Sequence, residues 1–108
     1  MGGSELDNIL EKARELFTDK ALQNTQRILI LVALYLTKRL GFKDLVRATG
    51  IDKGRLTYHL EVLEKHNLVR RKRYITLLRP RIYIEITSKG EEMIIRILEI
   101  LGRVAGEK

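Results

Sequence analysis

The stretch from Ile51 to Val69, IDKGRLTYHLEVLEKHNLV, restricts what this chain can fold into more than any other part of it. Asp52 can accept hydrogen bonds from the free backbone N–H groups of a first helical turn. Leu56, Leu60 and Leu63 recur at the four-and-three spacing that lays one apolar stripe against a core. Lys53, Arg55, Thr57, Tyr58 and His59 fall outside that stripe, and all five residue types can donate hydrogen bonds to phosphates or base edges. Asn67 tolerates the left-handed conformation that ends a helix. The stretch therefore reads as a capped, amphipathic helix with a DNA-recognition face.

The charge distribution agrees with that reading. From Asp52 to Arg81 there are nine Lys/Arg and three Asp/Glu, a net of +6, so the other 78 of the 108 residues share the remaining +1 of the +7 total. A basic field so concentrated suits a polyanion, most often nucleic acid. The plainer reading is a solvated face that keeps the protein soluble.

On either side, the chain reads as further helices and a hairpin. Ser4 is the expected cap of a first helix, residues 4–17, whose Leu6, Ile9, Leu10, Ala13, Leu16 and Phe17 share a face. A second helix is expected from Ala21 to Arg39, apolar all round at its centre and so buried on most sides. Gly41 would stop it. Phe42 to Thr49 forms a short third helix with Leu45, Val46 and Ala48 toward the core, and Gly50 ends that helix. A short helix, a glycine turn and a longer helix from Asp52 make a helix-turn-helix spanning 42–67. Beyond Asn67 the period falls to two: Val69 to Leu77 alternates, and Arg81 to Ile86 alternates again with Ile82, Ile84 and Ile86 on one face. Two antiparallel strands over 69–86 follow, joined near Leu78, Arg79 and Pro80. Thr87 is the expected cap of a last helix, 88–104, whose apolar surface is wider than one contact needs.

The whole of 1–108 is expected to be a single domain, mainly α with a small β-hairpin (α+β). The longest apolar run, Ile28 to Leu36, has nine residues, against the roughly 20 that a membrane span needs. A soluble, cytoplasmic protein is expected, associated with the nucleoid when bound to DNA. The absence of cysteine excludes disulfides and thiolate metal sites. His59 and His66 lie about 10.5 Å apart along one helix, too far to chelate one ion. Thr57 and His59 point away from each other and make no nucleophile and base pair. Neither an enzyme motif nor a phosphate-cradling glycine loop is present, so no catalysis, metal or cofactor is expected.

IDKGRLTYHLEVLEKHNLVRR, RPRIYIEITSKGEE and FKDLVRATG together carry a resemblance to small winged-helix transcription regulators of the MarR/ArsR superfamily, over Gly41 to about Ile95. The resemblance implies a winged helix-turn-helix with extra terminal helices. It implies a dimer that places one recognition helix per subunit in the major groove of double-stranded DNA and lays the wing on the backbone or a neighbouring groove. Lys53, Arg55, Thr57, Tyr58 and His59 then fall on groove-facing positions, and Arg70, Arg71, Lys72, Arg73, Arg79 and Arg81 become the wing contacts. The sequence departs from the family pattern at Asn67, where glycine is usual, and at Leu77 and Leu78, where the wing tip is commonly small or polar. A small-molecule effector is compatible with the resemblance, but the sequence names none.

Several of these residues have plainer readings. Arg55 could meet phosphate alone, Tyr58 could pack on the preceding helix, and the run Arg70 to Arg73 could be an edge strand charged against aggregation. The apolar stripes of the terminal helices exceed what a monomer usually leaves in water. A symmetric dimer through Leu6, Ile9, Leu10, Ala13, Leu16, Phe17, Met93, Ile97, Ile100, Leu101 and Val104 covers them. The other function in view is a protein-interaction module within a larger transcription assembly.

Overall fold

The all-apolar run Ile28 to Leu36 leaves a helix no polar side to show water, so the rest of the chain assembles around it. A computed structural model describes residues 3–106, with side chains over 5–106. In it Ile30, Leu31 and Leu34 are fully buried, whereas Leu29 and Leu36 remain exposed on one edge. The chain runs α1 (Gly3–Phe17), a single 3₁₀ turn (Lys20–Leu22), α2 (Thr25–Thr37), β1 (Arg39–Leu40), α3 (Phe42–Thr49), α4 (Lys53–Lys65), β2 (Val69–Ile75), β3 (Pro80–Ile86) and α5 (Ser88–Gly106). This is the expected architecture of helices with a hairpin wing, plus one further strand.

The boundaries differ from expectation where local capping decides them. Ser4, the expected cap of α1, lies inside that helix, and its side chain is outside the described residues. The second helix does not start at Ala21. Asp19 accepts from the Ala21 N–H and closes the separate 3₁₀ turn, and Asn24 then accepts from Gln26 and Arg27 to start α2 at Thr25. At its other end α2 stops before Gly41, because Lys38 turns to φ 73° and releases the chain into β1. There the Ile86 N–H reaches the Lys38 carbonyl at 3.2 Å, and Arg39 and Leu40 pair with Glu85 and Ile84. The sheet thus has three strands in the order β1-β3-β2.

On α3, Leu45 is fully buried and Phe42 and Val46 pack against the core. Ala48 is exposed, contrary to expectation. Phe42, Leu45, Val46 and Thr49 form the four-three stripe and Ala48 falls beside it. Gly50 ends the helix at φ 70°, where a side chain would be strained.

α4 begins at Asp52, whose carboxylate accepts from the Arg55 N–H at 3.0 Å. It ends with the Leu68 N–H on the Leu63 carbonyl and the Asn67 N–H on the Glu64 carbonyl, both at 2.9 Å. Asn67 sits at φ 61° between them, so asparagine fills the left-handed position of a Schellman cap. Leu56, Leu60 and Leu63 are buried, each stabilising the domain by about 1.5–3 kcal/mol.

The hairpin pairs Val69 with Ile86 through to Ile75 with Pro80. Pro80 takes the first position of β3, where a missing N–H is tolerated. Ile84 and Ile86 reach the core, but Ile82, on the same face, projects beyond it and is exposed. α5 packs on α1 and α2, and its start is sewn to the end of α4: Thr87 donates its N–H to the Leu68 carbonyl at 3.0 Å and its hydroxyl to the Asn67 carbonyl at 2.7 Å. The radius of gyration, 15.9 Å, exceeds the roughly 13 Å of a compact chain of this length. With this elongation, 58 Å against 24 and 22 Å across, helix faces and the wing are left uncovered by the other described residues.

Candidate nucleic-acid interface

The three leucines of α4 anchor one side of the helix and thereby choose the side that is shown. Lys53, Arg55, Thr57 and Tyr58 are exposed. Arg55 lies 3.4 Å from the Asp52 carboxylate, with both side chains about two-thirds exposed, a solvated pair worth little by itself and free to open toward another anion. Thr57 donates its hydroxyl proton to the Lys53 carbonyl at 2.8 Å. Its outward offer is therefore its methyl group and an acceptor lone pair. Tyr58 is exposed, with its ring tilted against His59 at 5.4 Å.

His59 is not on this face. It is 5% exposed and bridges α4 to α2, its Nε2 lying 2.9 Å from Gln26 Oε1 and its Nδ1 3.2 Å from Arg27 Nη1. A guanidinium only donates, so Nδ1 accepts and the ring is neutral with its proton on Nε2, directed at the Gln26 carbonyl. Arg27 also donates to the Ala21 and Lys20 carbonyls at 2.9 and 3.1 Å, tying the 3₁₀ turn to the same knot. Burial lowers the His59 pKa below its ordinary value, and the charges of Arg27 and Arg55 push it the same way.

The lowered His59 pKa makes the stability of the fold depend on pH. The His59 contribution is fully present above the unfolded-state value of about 6.5. It is lost as pH falls from there down through the folded pKa, because the unfolded chain takes up the proton first. Urea midpoints should therefore drop between pH 7.5 and pH 5, and the drop should be smaller in His59→Gln. Equal drops in the two proteins would remove His59 from the titration.

The wing cations fall into two groups. Arg70 contacts Glu85 through Nε and Nη2, each at 3.0 Å, and Glu85 is only 7% exposed. Arg71 pairs with Glu64 of α4 at 2.8 Å. Both arginines are thus paired with carboxylates within the protomer, Arg70 with a buried one and Arg71 with a partly exposed one. Lys72, Arg73, Arg79 and Arg81 are exposed and, among the described residues, make no salt bridge. One cation lay beyond sequence reading: Arg39 of β1 stacks 4.2 Å over the Tyr74 ring and lies 3.7 Å from Glu85. It joins Lys72, 5.4 Å from the same ring, on the face of the wing that also carries Arg81. A two-residue strand has no period to read, and that hid Arg39.

The terminal-helix residues also divide. Ile9, Leu16 and Ile97 are buried within the protomer, and Ala13, Met93 and Ile100 are half-buried. Leu6, Leu10, Phe17, Leu101 and Val104 are exposed, together with Ile95 and Leu98. A cleft of about 470 Å³ between α1 and α5 is lined by both signs of charge, Lys12, Glu15, Arg96 and Glu99 among them.

Helix, glycine turn, exposed cationic helix and basic hairpin, in that order, define a winged helix-turn-helix. The chain belongs to the winged helix DNA-binding domain family, whose model matches residues 26–105. The chain is 30% identical to a transcriptional regulator homologue from Pyrococcus horikoshii, at a TM-score of 0.74 over 90% of this chain and 96% of that one. NadR, solved in complex with 4-hydroxyphenylacetate, is 24% identical at a TM-score of 0.71, over 96% of this chain and 72% of that one. A MarR-family regulator from Silicibacter pomeroyi is 18% identical at 0.64, over 91% and 67%. A comparison with curated protein sequences gives no match. The expected winged helix-turn-helix thus holds at the level of family, the likeness to a MarR-type regulator is one of fold, and the protein is a winged-helix DNA-binding transcription regulator. Among the described residues, no helix is long and apolar enough to cross a membrane.

Proposed function

We propose that the protein is a dimeric, sequence-specific regulator that lays α4 in the major groove of double-stranded DNA and its wing on the backbone or an adjacent groove. The observation that carries this reading is the division of α4: its leucines and His59 are turned inward, while Lys53, Arg55, Thr57 and Tyr58 are turned out beside a cationic hairpin. Phosphate neutralisation supplies most of the affinity and base-edge contacts supply the discrimination. Arg55 is the base reader, since a guanidinium grips guanine O6 and N7 at once. The exposed Leu6, Leu10, Leu101 and Val104 support pairing of two protomers through α1 and α5. That pairing sets the two recognition helices about 34 Å apart on one face of the duplex.

Fluorescence anisotropy with duplex DNA across a salt series tests the reading. The expected result is binding that weakens steeply with salt, and a palindromic site when DNA is selected from a random pool. Arg55→Ala should cost about 1–3 kcal/mol at one base position and relax preference there. Affinity weaker than micromolar and indifferent to salt would end the DNA reading. An unchanged selected site in Arg55→Ala would end the assignment of that side chain.

A further inference from the structure

The tip of the wing is apolar, and nothing among the described residues covers it. Leu77 is 105% exposed and Leu78 92%, with Ile75 at 88% and Ile82 also open. The leucines are held out. Thr76 closes the turn by donating its N–H to the Arg79 carbonyl at 3.3 Å, and its hydroxyl oxygen accepts from the Arg79 N–H at 3.1 Å. Leu77 and Leu78 form the crest between those bonds. Along β2 the last anchored residues are Arg71, paired with Glu64 of α4, and Tyr74, whose hydroxyl accepts from Arg39 of β1 at 3.1 Å. Ile75 ends β2 immediately after Tyr74, and the crest follows it. Arg79 and Arg81 follow the crest, Lys72 and Arg73 lie along β2 before it, and from Val69 to Tyr83 the sequence holds no Asp or Glu.

Two leucines exposed to water are unfavourable unless something takes them up. The cations of the wing say what that is. Arginine is drawn to the negative potential of a narrow minor groove, and aliphatic side chains delivered there enter between base steps and unstack them. The wing follows α4 directly and contacts it, so a wing beside a helix in the major groove is already at the duplex. We propose that Leu77 and Leu78 are an apolar wedge that enters the DNA minor groove and unstacks a base step, so that this protein bends the DNA it binds. The proposal rests on the DNA-binding reading above and adds a deformation of the duplex to it.

The test uses an alternating A-T duplex, rich in the easily unstacked TA step, with 2-aminopurine replacing some adenines and a dye at each end. The parent should raise 2-aminopurine emission and shorten the end-to-end distance by energy transfer, consistent with a bend of about 20–90°. Leu77→Asn/Leu78→Asn should keep the parent's melting temperature and salt-dependent binding while losing both signals. Binding by the parent without either signal overturns the wedge and leaves DNA binding standing. Failure of the parent to bind any duplex at low salt overturns the DNA reading and the wedge with it. Two other results also overturn the wedge: a shift of the double variant from dimer to monomer without DNA, which makes the tip a contact between copies, or its selective loss of binding to phosphatidylserine vesicles, which makes the tip a membrane contact.

Discussion

Gly90→Ala is expected to destabilise the protein by about 3 kcal/mol or somewhat more, enough to lower the melting temperature by roughly 10–25 °C in a domain of this size. Gly90 is buried in the first turn of α5. A Cβ there would stand 2.3 Å from the Leu68 carbonyl oxygen, 2.8 Å from Ile86 Cγ1 and 3.2 Å from the Leu68 carbonyl carbon. Two of these atoms are backbone, and that backbone is pinned: the Leu68 carbonyl accepts from the Thr87 N–H and the Leu68 N–H donates to Leu63. A methyl group can be admitted only by lifting α5 off the end of α4. Helix propensity acts the other way, since alanine in a helix is favoured over glycine by up to about 1 kcal/mol. The clash must exceed that gain. Gly54→Ala is the control, because its Cβ would meet only the Asp52 carboxylate at 3.6 Å, an ordinary contact. Thermal and urea unfolding should show Gly54→Ala at or slightly above the parent and Gly90→Ala far below it. Equal midpoints for Gly90→Ala and the parent would mean that α5 does not seat on Leu68 as described.

Gly90 also shows where sequence reading stops. What is local was legible. The Asp52 cap, the Leu56, Leu60 and Leu63 stripe, the bounds of α3 and the left-handed Asn67 all depend on residues within a few positions of one another. The hairpin was legible from its period of two. The missed features are non-local. His59 follows Leu56 by three residues and so sits at the edge of the buried stripe, but a polar residue type there reads as surface unless Gln26 and Arg27, more than thirty positions earlier, are known to meet it. The pairing of β1 with β3 and the Glu85 pair with Arg70 and Arg39 join parts of the chain that no periodicity connects. At the candidate interface the effect is a redistribution of roles. The outward candidates of α4 shrink to Lys53, Arg55, Thr57 and Tyr58, and the six wing cations separate into two paired with carboxylates and four that make no salt bridge among the described residues.

That separation predicts the largest effect on DNA binding. Replacing Lys72, Arg73, Arg79 and Arg81 together with glutamine should lower the slope of log affinity against log salt by up to about 3.6 per wing, since each phosphate contact contributes about 0.9. If parent and variant affinities converge near molar salt, the same slope corresponds to a loss on the order of 10²–10³-fold at physiological salt. The four side chains are exposed and make no salt bridge among the described residues, so the variant should melt with the parent. Arg70→Gln should behave in the opposite way. Its partner Glu85 is almost buried, and a carboxylate left with Arg39 alone at 3.7 Å costs stability. The salt slope of Arg70→Gln should change by less than that of a glutamine variant of any one of those four cations. Anisotropy titrations at several salt concentrations, beside melting curves, separate the two outcomes. If the quadruple variant kept the parent's slope, the wing would lie off the duplex, and its four cations would be explained as charges that keep an exposed hairpin from pairing with its neighbours.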